Sequence, residues 1–88
     1  MTTQLTSGEV MRRLHVVMDT ARSLPPGDLE QIEILIQAGE QRVAFENLCL
    51  QIYEYEITLP SNLRDLLAET GKHLGVAPRY WERLDAAL

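Results

Sequence analysis

The sequence predicts an all-α protein, a single domain built as a compact bundle of about five short helices. Three observations predict it. Apolar residues recur at helical spacing in stretch after stretch, proline and glycine punctuate those stretches, and no segment makes a convincing strand. With 88 residues, 45% of them hydrophobic and 24% charged, the chain can build one small core and lacks the composition of a disordered segment. There is no internal repeat and no low-complexity tract.

The first helix is expected to open at Ser7 as N-cap, with residues 1–6 frayed ahead of it. Its apolar stripe is Val10, Met11, Leu14, Val17, Met18 and Ala21. His15 lies at the edge of that stripe with no second ligand at helical spacing, so it reads as a boundary residue rather than a metal or catalytic group. Ser23-Leu24-Pro25-Pro26-Gly27-Asp28 then breaks the pattern, because prolines cannot continue a helix but can begin one. Asp28 with Gln31 three residues on resembles a capping box for the second helix. Leu29, Ile32, Leu35 and Ile36 form its inward face, Ile34 points away from them, and Gly39 fits a left-handed C-cap.

Gly39 to Pro60 is the stretch around which the rest is organised. A helix starting near Gln41 places Ala44, Phe45, Leu48, Ile52 and Tyr55 along one side. The opposite side carries Val43, Leu50 and Tyr53 among Glu46, Asn47 and Glu54, too apolar for a plain solvated face, so a second buried contact is expected there. The helix is expected to end around Tyr55 or Glu56, before the β-branched and proline-blocked Ile57-Thr58-Leu59-Pro60. The short break at Gly39 makes the second and third helices an antiparallel hairpin.

Ser61 is the expected cap of a fourth helix in which Leu63, Leu66, Leu67, Thr70 and Leu74 share a face, with Gly75 at its C-cap. Gly71 beside that face lowers helix propensity by roughly 1 kcal/mol against alanine, which points to a close helix approach. Pro78 suits the first position of a short fifth helix carrying Tyr80, Trp81 and Leu84 inward.

Charge is unevenly placed. The net −5 comes from the segment Asp28 to Glu56, where seven acids face Arg42 alone; residues 1–27 carry +1 and residues 57–88 sum to zero. A field of that sign repels nucleic acid and favours a basic protein partner. Cys49 is the only cysteine, which excludes an intramolecular disulfide and fits a reducing cytoplasmic setting. The N-terminal residues lack a basic and apolar leader pattern, and no segment approaches roughly 18 uninterrupted apolar residues, so neither export nor membrane insertion is expected.

Chemistry-bearing motifs are missing from the sequence. There is no His-Glu-x-x-His, no Cys-x-x-Cys and no glycine-rich phosphate loop, and Cys49 sits on the apolar side of its helix as a small buried hydrophobe. The chain therefore reads as a binding protein without cofactor or metal, and not as an enzyme. One competing motif is a helix-turn-helix over residues 71–84, where Gly71, Leu74, Gly75, Val76, Trp81 and Leu84 have the spacing of that unit's buried positions. Its recognition helix would offer Arg79 and Arg83 against Glu82 and Asp85, a net charge of zero that gives little phosphate affinity.

Two blocks carry a family resemblance. The first is Gly39-Glu40 with Val43-Ala44-Phe45-Glu46-Asn47-Leu48-Cys49 and Gln51-Ile52-Tyr53-Glu54-Tyr55-Glu56-Ile57; the second is Leu74-Gly75-Val76-Ala77-Pro78-Arg79-Tyr80-Trp81-Glu82-Arg83-Leu84. In these residues and in their order and spacing the chain resembles the small MafI-like immunity proteins of polymorphic toxin and contact-dependent inhibition systems. The blocks cover about a third of the chain and consist mostly of helix-packing residues. The resemblance implies that residues 1–88 form one immunity-protein-like domain, cytoplasmic, binding and neutralising the C-terminal toxin domain of a cognate effector, often a nuclease.

That family supplies no toxin-binding motif to carry over, so the expected site is read from the residues themselves: Glu30, Glu33, Glu40, Glu46, Leu50, Tyr53, Glu54 and Glu56, with acids to attract a basic toxin surface and Leu50 or Tyr53 as anchors. The alternatives are a helix-turn-helix DNA-binding regulator or antitoxin, and a helical adaptor whose third helix forms a homodimer.

Overall fold

The computed structural model describes residues 4–86, the last two by backbone alone. Its helices are α1 (Ser7–Thr20), α2 (Pro26–Gln37), α3 (Gln41–Glu54), α4 (Ser61–Leu74) and α5 (Arg79–Ala86), and the described residues hold no strand. The expected all-α bundle is the fold observed. Alone among the helices, α3 packs substantially against all four others, whereas α2 leans almost entirely on α3.

Helix starts differ from expectation in an instructive way. The N-cap of α1 is Thr6, not Ser7: the Thr6 hydroxyl accepts from the Glu9 N–H at 3.1 Å and the Glu9 carboxylate accepts from the Thr6 N–H at 3.5 Å. Both residues are good caps, but only Thr6 has a glutamate three positions on to close the reciprocal box. Thr6 is thus fixed rather than frayed, while residues 1–3 of the expected frayed segment lie outside those described.

Asp28 does not cap α2, and Ser61 does not cap α4; each lies inside a helix whose N-cap position is a proline, Pro25 or Pro60. Pro78 likewise precedes α5 instead of opening it, its carbonyl accepting from the Trp81 and Glu82 N–H groups at 3.1 and 3.0 Å. Proline needs no amide partner at a helix start and still offers a carbonyl to the first turn, which lets it stand where a side-chain cap was expected.

The C-termini of α2 and α3 close by the same device. At Gly39 (φ +81°) the Glu40 N–H donates to the Leu35 carbonyl at 2.9 Å and the Gly39 N–H to Ile36 at 3.1 Å, a Schellman motif. At the end of α3 the Ile57 N–H donates to Ile52 at 3.0 Å and the Glu56 N–H to Tyr53 at 3.2 Å, with Glu56 in the left-handed position at φ +51°. Glu56 is the only non-glycine described with a positive φ. A side chain there is strained by about 1–2 kcal/mol, partly offset by the lower entropy of a non-glycine unfolded chain. Glu56→Gly is therefore expected to stabilise the fold by about 0.5–1 kcal/mol, seen as a raised midpoint in thermal or urea unfolding; a lowered midpoint would contradict this account of the turn.

The core surrounds α3. Ala44, Phe45, Leu48 and Ile52 are fully buried, met by Leu14 and Val17 of α1, Ile32 and Ile36 of α2, Leu67 of α4, and Trp81 and Leu84 of α5. Leu24, Leu59 and Val76 in the connections are also buried, so the loops are pinned by core contacts. The buried hydroxyl of Thr70 donates to the Leu66 carbonyl at 2.7 Å and is thereby satisfied. Gly71 does permit the close approach expected of it: a Cβ built there would fall on the Trp81 ring and 2.9 Å from Phe45 Cζ. Farther out, Arg13 of α1 pairs with Glu69 of α4 at 3.1 Å, and the Gln41 amide donates to the Ser7 carbonyl at 2.8 Å.

Candidate functional site

Ala44, Phe45, Leu48, Cys49 and Ile52 take up the buried side of α3, and Arg42, Val43, Tyr53 and Glu54 are its exposed positions. The second buried contact expected for Val43, Leu50 and Tyr53 is not found among the described residues. Val43 is 40% and Tyr53 42% exposed, and Leu50 is half-buried. The Tyr53 end is covered only in part, by α5, whose Arg83 guanidinium lies 5.0 Å from the centroid of the Tyr53 ring in a cation–π contact. Tyr55, expected on the core side, is instead 51% exposed. Helical phase predicts its direction only while the helix lasts, and α3 stops at Glu54, leaving Tyr55 as the C-cap that leads into the left-handed turn.

The six acids of the expected site fall into two groups. Glu30, Glu40, Glu54 and Glu56 are exposed, as their charge suggested. Glu33 and Glu46 are half-buried and engaged: Glu46 faces Arg42 one turn back at 3.7 Å, and Glu33 Oε2 meets His15 Nε2 of α1 at 2.7 Å while Oε1 accepts from the Gln37 amide at 2.8 Å. The acids thus do not form one uncompensated face. The Gln37 amide, with smaller help from His15, holds the Glu33 carboxyl below its ordinary value of 4.5 against partial desolvation. By linkage its contribution to stability is complete above that ordinary value and is lost as pH falls through the lowered one.

Sequence reasoning missed what His15 and Glu33 build together. With Met18, Asp19, Arg22 and Leu29 they line an open cleft of about 240 Å³ between α1 and α2. Met18 and Leu29, expected inward, are only half-buried and serve as its apolar lining. Asp19 accepts from Arg22 at 3.0 Å on the rim. Each helix taken alone shows His15 and Glu33 at the border of its apolar stripe, and only the docking of α1 and α2 on α3 brings the two together, so no spacing in the sequence signals the cleft.

Burial, with a smaller push from Glu46, raises the Cys49 thiol to about 12, so it is protonated and inert near neutral pH. Among the described residues no three of the His, Cys, Asp and Glu side chains are grouped to hold a metal ion, and no helix is long and apolar enough to cross a membrane. In comparisons with known proteins, no family model, no curated protein and no solved structure matches the chain.

Proposed function

We propose that this chain is an immunity protein, acting in the cytoplasm by binding the toxin domain of a cognate bacterial effector and covering a basic surface on it. The observation that carries the reading is the exposed side of α3 and its flanking turns, where Val43, Tyr53 and Tyr55 are exposed along a segment that also exposes Glu40, Glu54 and Glu56. Exposed aromatic side chains flanked by carboxylates suit a partner that is basic around an apolar centre: charge speeds the encounter and the rings supply contact area. The resemblance of the two sequence blocks to MafI-like proteins is what suggests a toxin domain as that partner.

A second copy of the chain is a poorer occupant, because it would bring the same acids against these. Duplex DNA is poorer still, since Arg83, one of two arginines on α5, is committed to the Tyr53 ring. The test is a binding titration against the C-terminal domain of the effector encoded beside this gene. The double variant Glu54→Lys, Glu56→Lys is expected to weaken binding by about tenfold at low salt and by clearly less at high salt. Unchanged affinity would remove the interface from α3, and a wild-type chain that binds no such domain would remove the function.

A further inference from the structure

We propose that the cleft between α1 and α2 is a receptor for one lysine side chain of a protein partner, its stem lying along Met18 and Leu29 and its ammonium meeting the carboxylates of Glu33 and Asp19. The cleft's size points to a single side chain, since about 240 Å³ is below the roughly 300–1,000 Å³ of pockets that enclose small-molecule ligands. Its lining is amphipathic in the sense that suits lysine, combining a thioether and a leucine with two carboxylates.

The charge is complementary. Glu33 and Asp19 against Arg22 leave the cleft negative when His15 is neutral, and the neighbouring Glu30 on α2 adds a further exposed acid. Glu33 is held ionised, and its carboxylate accepts two bonds of the roughly four it can take. Since Gln37 occupies one oxygen and His15 the other, no free bidentate edge is left for a guanidinium, whereas an ammonium needs only single lone pairs. Arg22 at the rim is the resident competitor. Its pair with Asp19 is largely exposed, 78% and 69%, and so is weak enough to be displaced.

The proposal deepens the reading above by giving Glu33 a definite role in meeting a basic partner, yet its test needs no toxin, so the two can fail separately. The probe is Nα-acetyl-lysine methylamide, compared with its norleucine analogue, which keeps the stem and lacks the ammonium. Binding is followed by the Met18 methyl and His15 ring signals in NMR, with the Phe45 and Trp81 signals reporting that the fold is intact.

The lysine probe is expected to saturate with a Kd on the order of 10 mM, as one charge-assisted contact in an open cleft allows. Glu33→Gln is expected to weaken it about fivefold, and Arg22→Ala to tighten it by about threefold. A linear, unsaturable shift, equal binding of the norleucine analogue, or indifference to Glu33→Gln would each overturn the proposal.

Discussion

Trp81→Ala is expected to lower unfolding stability by about 3–5 kcal/mol, the range for deleting a large aromatic from a packed core. For 88 residues at roughly 0.05–0.15 kcal/mol each, the whole domain is worth about 4–13 kcal/mol, so the variant loses from about a quarter of it to all of it. The geometry sets the expectation at the upper side of that range. Trp81 is 8% exposed, its ring meets Phe45 edge-to-face at 6.1 Å and 76°, and its other flank lies on Gly71 of α4. It therefore fastens α5 to α3 and α4 at once, and alanine would leave a void bordered by a helix backbone that cannot collapse into it. Urea unfolding followed by far-ultraviolet circular dichroism measures the loss. Trp81→Phe, which keeps an aromatic in contact with Phe45, is expected to lose clearly less. A loss under about 1 kcal/mol for the alanine variant would mean that α5 is not docked through this residue.

The same residue shows what was legible beforehand. Trp81, Phe45, Leu48 and Ile52 were expected in the core because apolar side chains at helical spacing must be buried together, and they are. Gly39 and Gly75 were expected at left-handed caps, and both have positive φ. Where periodicity stops, so does its authority. Tyr55 was assigned the phase of a helix that had ended, and Glu56 occupies a left-handed position that nothing in its chemistry advertises.

The candidate site was legible in its charge but not in its pairings. Exposed Glu30, Glu54 and Glu56 follow from composition alone, whereas the His15–Glu33 contact depends on how two helices with separate apolar stripes are set against a third. The open outer side of α3 was missed for a related reason. Apolar residues among acids call for cover, and the described residues hold no sixth helix to provide it; Arg83 reaches Tyr53 and nothing in the described residues seals Val43.

Gly71→Ala tests the close packing of α4 against α5, and its sign runs against local propensity. On helix preference alone, alanine would stabilise α4 by about 1 kcal/mol. Here the added methyl would overlap the Trp81 ring and lie 2.9 Å from Phe45 Cζ. Neither neighbour is the loose end of a flexible chain: both are aromatic rings held by each other and by the core. Overpacking of this kind costs about 1–3 kcal/mol and occasionally more, and with the overlap this deep the net effect is expected to be a loss of about 1–3 kcal/mol after the propensity gain. A double-mutant cycle separates the two contributions. In the Trp81→Ala background the methyl has somewhere to go, so Gly71→Ala is expected to become neutral or stabilising, giving a coupling energy of at least about 1 kcal/mol. Should Trp81→Ala leave too little folded protein to measure, Trp81→Leu retains an apolar anchor with a smaller footprint and serves as the second background. Equal losses in both backgrounds would show that the damage lies in α4 itself and not in its contact with α5.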